Sequence, residues 1–296
     1  MKINYYHSLI FNNLCIFLSA IDYLRNNSLL FICLFLILSI GISHGSLDHI
    51  KGKKLIKTYG YKSQYIFYFG YIFIGLIIIL LWLLFPKSLL LFFLVLAAYH
   101  FGKEDSEFIS KKKNNELIYF LKGSLVVTSP LLFHKDETLN IFKSLNFDIS
   151  GNFLTNNEVL YLFIFLSFIS NLILSLGKNY NSKSLLLMDY LSILILNFFL
   201  NPVIAFTIYF CFLHSIRHSI SLIENIDKNI KVGFPIFIKK AIPLTGITAI
   251  AYFFSLMFLN NYYELDDAIY KVIFIGLASL TFPHILLEYL VEKNEK

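Results

Sequence analysis

Only 15% of the 296 residues are charged and 57% are hydrophobic, with a mean hydropathy of +0.68. A soluble domain carries about 25% charged and about 45–50% apolar residues, so the composition excludes a soluble enzyme and predicts an all-α polytopic membrane protein. The net charge of +6 is assigned to loop lysines facing anionic lipid, with no nucleic-acid partner. Cys15, Cys33 and Cys211 lie in apolar stretches without paired spacing, which excludes a disulfide framework or a thiolate metal cage.

The N-terminal segment, residues 1–27, reads as an amphipathic or interfacial helix, because Asn12, Asn13 and Asp22 interrupt its apolar run. Lys2 is too weak an n-region for a signal peptide. A crossing needs about 20 apolar residues. Such runs occur at 28–50, 63–85, 87–102, 116–134, 158–176, 184–200, 202–222, 239–259 and 268–290. The expectation is therefore nine transmembrane helices, ten if the N-terminal segment also crosses. They form one bundle over 28–290, and residues 1–296 read as a single integral-membrane domain.

Lysines test that count. Seventeen lie in one alternate set of loops (51–62, 103–115, 177–184, 223–240 and the C-terminal tail), against Lys87, Lys135 and Lys143 in the other. Lys122 and Lys271 fall inside spans. The positive-inside rule makes the lysine-rich set and the C-terminus cytoplasmic in a multi-pass cell-membrane protein.

On this frame the histidines gather at one depth. His44, His100, His214, His218 and His284 fall in the cytoplasmic halves of the first, third, seventh and ninth spans, while His7 and His134 lie near outer ends. The run Gly41-Ile-Ser-His44-Gly-Ser-Leu-Asp48-His49 is costly in a membrane, and polar groups at that depth mark function. His214 and His218 are four apart and present two imidazoles on one face. Imidazoles suit iron, zinc, copper or nickel. Asp48, Glu104 and Asp105 adjoin the histidines and are candidates to accept a ring N–H from a metal-bound histidine. Asp48 is the first choice, and His49 stands beside it. Arg217, one of only two arginines, is expected to make a fixed fork to Asp48 or Asp105, with snorkelling to the interface as the alternative.

The ordered motifs Gly41-x-x-His44-Gly45-x-Leu47-Asp48, His100-Phe101-Gly102-x-x-Asp105, His214-Ser215-x-Arg217-His218 and Pro283-His284 resemble those of the bacterial and archaeal β-carotene 15,15′-dioxygenases of the bacteriorhodopsin-related-protein type. The resemblance runs over residues 41–290. Ser43 and Ser46 stand where that family more often has Pro and Ala. The resemblance implies a ferrous enzyme, Fe(2+) being the cofactor, that splits the central double bond of β-carotene with O₂ into two retinals. It implies His44, His100, His214 and His218 as iron ligands, with His284 a further ligand or a backing residue. A retinal-binding rhodopsin would be a natural consumer of the product. Tyr99, Phe101, Gly102, Tyr209, Phe210 and Phe282 are the candidate walls of an apolar tunnel for the polyene.

Two other readings compete. A different histidine-ligated membrane oxidase acting on lipid would normally show adjacent His-His pairs, and none occurs here. A metal or proton transporter would place its site nearer the midplane and use inverted repeats.

Overall fold

The computed structural model describes residues 2–26, 29–109, 115–147 and 155–294, and the side chains of Arg25, Asn26 and His44 lie outside that description. Every regular element among the described residues is helical. Among the described residues, seven helices are long and apolar enough to cross a membrane, or eight if the bent first span is included. The expected nine is not confirmed by this count. The helix over the third expected span, α6 (Pro86–Glu104), has the length, but Lys87, Tyr99, His100 and Lys103 dilute its apolar run. The N-terminal helix α1 (Lys2–Ser19), which the short α2 (Asp22–Asn26) follows, is also too polar to count. It docks on the bundle, burying Phe11 and Cys15 and donating from Asn12 to Ser192 Oγ at 2.9 Å.

Local chemistry sets the ends of the helices. α5 (Tyr65–Leu84) has no charged residue. α6 opens on a proline in its first turn, where the missing N–H costs nothing. α9 (Asn157–Ser175), α10 (Tyr180–Phe199), α11 (Pro202–Ile208) and α13 (Ile230–Leu259) follow Asn156, Asn179, Asn201 and Asn229, whose side-chain oxygens accept from first-turn N–H groups. α14 (Leu265–Asn294) packs against α5, α6 and α13. It also meets α3 (Leu30–Ser39), α4 (Asp48–Thr58) and α8 (Lys135–Ser144).

α6 and α7 (Glu116–Phe133) cross closely because two glycines face each other. A Cβ on Gly102 would sit 1.8 Å from the Tyr119 carbonyl oxygen, and one on Gly123 would sit 1.9 Å from that of Ala98. Small residues let helix backbones approach in this way inside a bilayer.

Two spans are broken, and the breaks face each other. The first runs α3, a 3₁₀ segment Gly41–Leu47, then α4, with a bend of 41°. Ser43 and Ser46 donate their hydroxyls back to the carbonyls of Ile40 (2.7 Å) and Ser43 (2.5 Å). The other runs α11, a π-helical segment Tyr209–Ser215, then α12 (Ile216–Ile226). Ser215 donates to the Gly41 carbonyl at 2.8 Å. A side chain at Gly41 would strike the Phe210 ring 2.6 Å away. Irregular backbone at membrane depth survives only where protein satisfies it, and the Ser215 hydroxyl does so for the Gly41 carbonyl.

Candidate metal centre

Four imidazoles meet beside these breaks. His100 comes from the last turns of α6, His214 from the π segment, His218 from α12 and His284 from α14. The His100 ring lies 5.2 Å from that of His214 and 5.3 Å from that of His284, and the His218 and His284 rings are 5.9 Å apart. All four are buried. Residue 44 lies on the 3₁₀ segment that packs against the π segment, and its side chain is outside the described residues.

Three of the rings are backed by carboxylates. His214 Nδ1 donates to Asp105 at 3.1 Å, His218 Nδ1 to Glu104 at 2.5 Å and His284 Nδ1 to Asp48 at 2.8 Å. An ionised carboxylate only accepts, so each Nδ1 carries the proton. In the neutral ring Nε2 then holds the lone pair, which is the metal-binding tautomer. Glu104 and Asp105 are successive residues at the end of α6 and point about 100° apart, so each serves one member of the 214/218 pair. The donor set fits a divalent transition metal: neutral imidazoles with ring N–H groups held by carboxylates.

The carboxylates are themselves held. Asp48 also accepts from Tyr71 at 2.9 Å, and Asp105 from Tyr209 at 2.7 Å. Arg217 does make a fixed fork, but to Asp189 on α10, at 2.6 and 3.0 Å. It also donates to Ser8 Oγ at 2.7 Å and to the Asp105 backbone carbonyl at 3.2 Å. The partner expected among Asp48 and Asp105 is thus replaced by a residue on another helix. Ion pairs Lys51–Glu288 and Lys103–Glu292 tie the end of α14 to α4 and α6. His218, His284 and Glu288 form a three-residue group whose potential ligand atoms lie within 4.8 Å of one another.

The histidines open on apolar space. A cavity of 230 Å³ is bordered by His100, His284, Asp48 and His49 on one side and by α5 and α13 on the other. His49 turns its Nδ1 to the Ser46 carbonyl at 2.8 Å. A second cavity of 80 Å³ lies between α6, α7, α8, α11 and α14. Phe101, Phe210, Leu277 and Thr281 border both cavities. Phe101 and Phe210 also pack on the His214 ring, with centroids at 4.8 and 5.7 Å.

The other four tunnel candidates border neither cavity. Tyr99 packs with Ile109, Tyr119 and Leu174, and Gly102 serves the α6–α7 crossing. Tyr209 holds Asp105, and Phe282 packs on Phe92 and Phe93. Nearness in sequence to a histidine does not tell which face of a helix a ring occupies. Asp189, Tyr71 and Glu288 escaped the sequence reading. The only available signal was a charged or hydroxyl group within or beside an apolar run.

A family model described as β-carotene 15,15′-dioxygenase matches residues 35–292. A curated protein named β-carotene 15,15′-dioxygenase, from an uncultured marine bacterium (66A03), is 27% identical over 260 residues. That match covers 86% of this chain and 90% of the relative. No solved structure matches. With nearly the whole helical bundle inside the family match, the chain belongs to the β-carotene 15,15′-dioxygenase family.

Proposed function

We propose that this membrane protein is a ferrous dioxygenase that cleaves the central 15,15′ double bond of β-carotene. The observation that carries the reading is the carboxylate-backed histidine cluster, which meets a mostly apolar cavity at His100 and His284. Family membership supplies the substrate. His44, His100, His214 and His218 would hold one Fe(2+), with His284 beside them as a fifth ligand or a supporting residue. The metal's part is to activate O₂ next to the alkene.

The rest of the work belongs to the chain. The cavity walls take up a hydrocarbon that has no polar group to satisfy. Phe101 and Phe210 flank the point where the polyene would pass the histidines, so that one bond is aligned. In the balanced reaction one C=C bond breaks, each of its carbons takes one oxygen atom of O₂, and two retinals leave with no external reductant. The lysine distribution favours insertion in the cell membrane with the C-terminus and the centre on the cytoplasmic side. The mostly apolar lining of the cavity next to the ligands favours a hydrocarbon over ion transport, which needs a continuous polar path.

Expression in cells that make β-carotene tests the reaction. Orange pigment is expected to be lost as retinal appears. Pigment retained at the level of an empty-vector control would contradict it.

A further inference from the structure

The two cavities differ in a way that bears on where the polyene is cut. The larger one reaches the outer surface of the bundle. Ile72 of α5 and Ile247 of α13 border it and are 60% and 64% exposed. Those two helices bury few of their residues, so this opening faces lipid. The smaller chamber has no exposed residue in its lining. Of its two threonines, Thr138 turns its hydroxyl to the carbonyls of Pro130 and His134, so that apart from Thr281 the wall is apolar.

Distances along the helices give the chamber a depth. Leu90 borders it ten residues before His100 on α6, and Phe274 borders it ten residues before His284 on α14. At 1.5 Å per residue each interval is about 15 Å. A carotene comparable in length with the bilayer core, roughly 30 Å, has its central bond about 15 Å from either end. Two helices thus report one depth, and it matches half the substrate.

Resting on the carotene-cleaving reading above, we infer that the inner chamber is a length gauge. One end ring of β-carotene enters from lipid between α5 and α13, passes Phe101 and Phe210, and stops against the far wall of the smaller chamber. The stop places the central double bond at the histidines. The same geometry tilts the polyene, because its mouth and its stop lie at different depths along the helices. Specificity for the central bond then comes from Val127 and Phe142 at the chamber wall, away from the metal.

The test alters the chamber and reads product length. Iron-loaded Val127→Phe fills it, so the polyene stops short and a bond nearer the inner ring is presented. Two unequal aldehydes are expected, one shorter and one longer than retinal, their carbons still adding up to those of the carotene. Phe142→Ala deepens the chamber and is expected to give unequal aldehydes by sliding the polyene inward. Val127→Leu is the milder filling variant should Val127→Phe not accumulate. A readout free of turnover is β-carotene retained by the iron-free protein after detergent purification, which is expected to fall several-fold in Val127→Phe.

Unequal aldehydes from any of the three variants support the gauge. Retinal as the sole product from all three, with wild-type iron content and carotene retention, would overturn it. Should the wild-type protein make no retinal, the reaction assignment fails separately. Carotene retention then decides the gauge alone, and wild-type retention by Val127→Phe overturns it.

Discussion

Two buried polar clusters sit side by side in this bundle and differ in one respect. The histidine cluster opens on an apolar cavity, whereas the Arg217–Asp189 cluster is sealed among α1, α10 and α12, with Phe108 5.4 Å from the guanidinium. They share a boundary at Asp105. Its carboxylate holds His214 and its backbone carbonyl accepts from Arg217. On the proposed function, the difference separates groups held for chemistry from groups held for architecture. Charge burial alone, which both clusters share, does not mark a site. Access to a ligand-sized space does.

Substitutions can pull the two apart. The largest expected effect on turnover is from His218→Ala. It should remove nearly all retinal formation while the protein still purifies as a folded species, as read from product assays beside thermal unfolding.

Asp189→Ala should do the reverse. It leaves a buried Arg217 without its carboxylate, and breaking a buried pair costs about 3–5 kcal/mol. A large drop in unfolding temperature is expected, with iron per folded chain retained. If it instead lost iron at unchanged stability, the two clusters would be functionally one.

The sequence made half of this contrast legible. The spacing of His214 and His218, and the adjacency of Glu104 and Asp105 to His100, are local features that a helical frame converts into a shared face. Long apolar runs revealed the bundle in the same way. What escaped is non-local. Asp189 is 28 residues from Arg217, and Tyr71 is 23 residues from Asp48, and no helical period connects either pair. The π segment escaped too, because a widened turn leaves the apolar pattern of a span intact. The third expected span is the one whose apolar run is diluted, because α6 ends in the polar residues that line the candidate site.

Smaller effects sharpen the boundary between the clusters. Asp105→Asn keeps the shape but weakens the acceptor behind His214. Changes of this kind typically cost about 10–100-fold in metal affinity or activity, measurable by iron titration. Tyr209→Phe removes one hydrogen bond to that carboxylate, worth about 1.5–3 kcal/mol for a charged acceptor. It should give a modest loss of stability and a smaller loss of iron affinity than Asp105→Asn. A Tyr209→Phe effect exceeding that of Asp105→Asn would move Tyr209 from supporting Asp105 to some more direct role.

The central claim is that the converging histidines hold one iron. Its most direct measurement is the iron-to-protein ratio of purified protein loaded with ferrous iron, wild type beside His100→Ala, His214→Ala and His218→Ala. The account predicts one iron per chain in the wild type and little in each variant. Two irons per chain, or a full complement in all three variants, would contradict it.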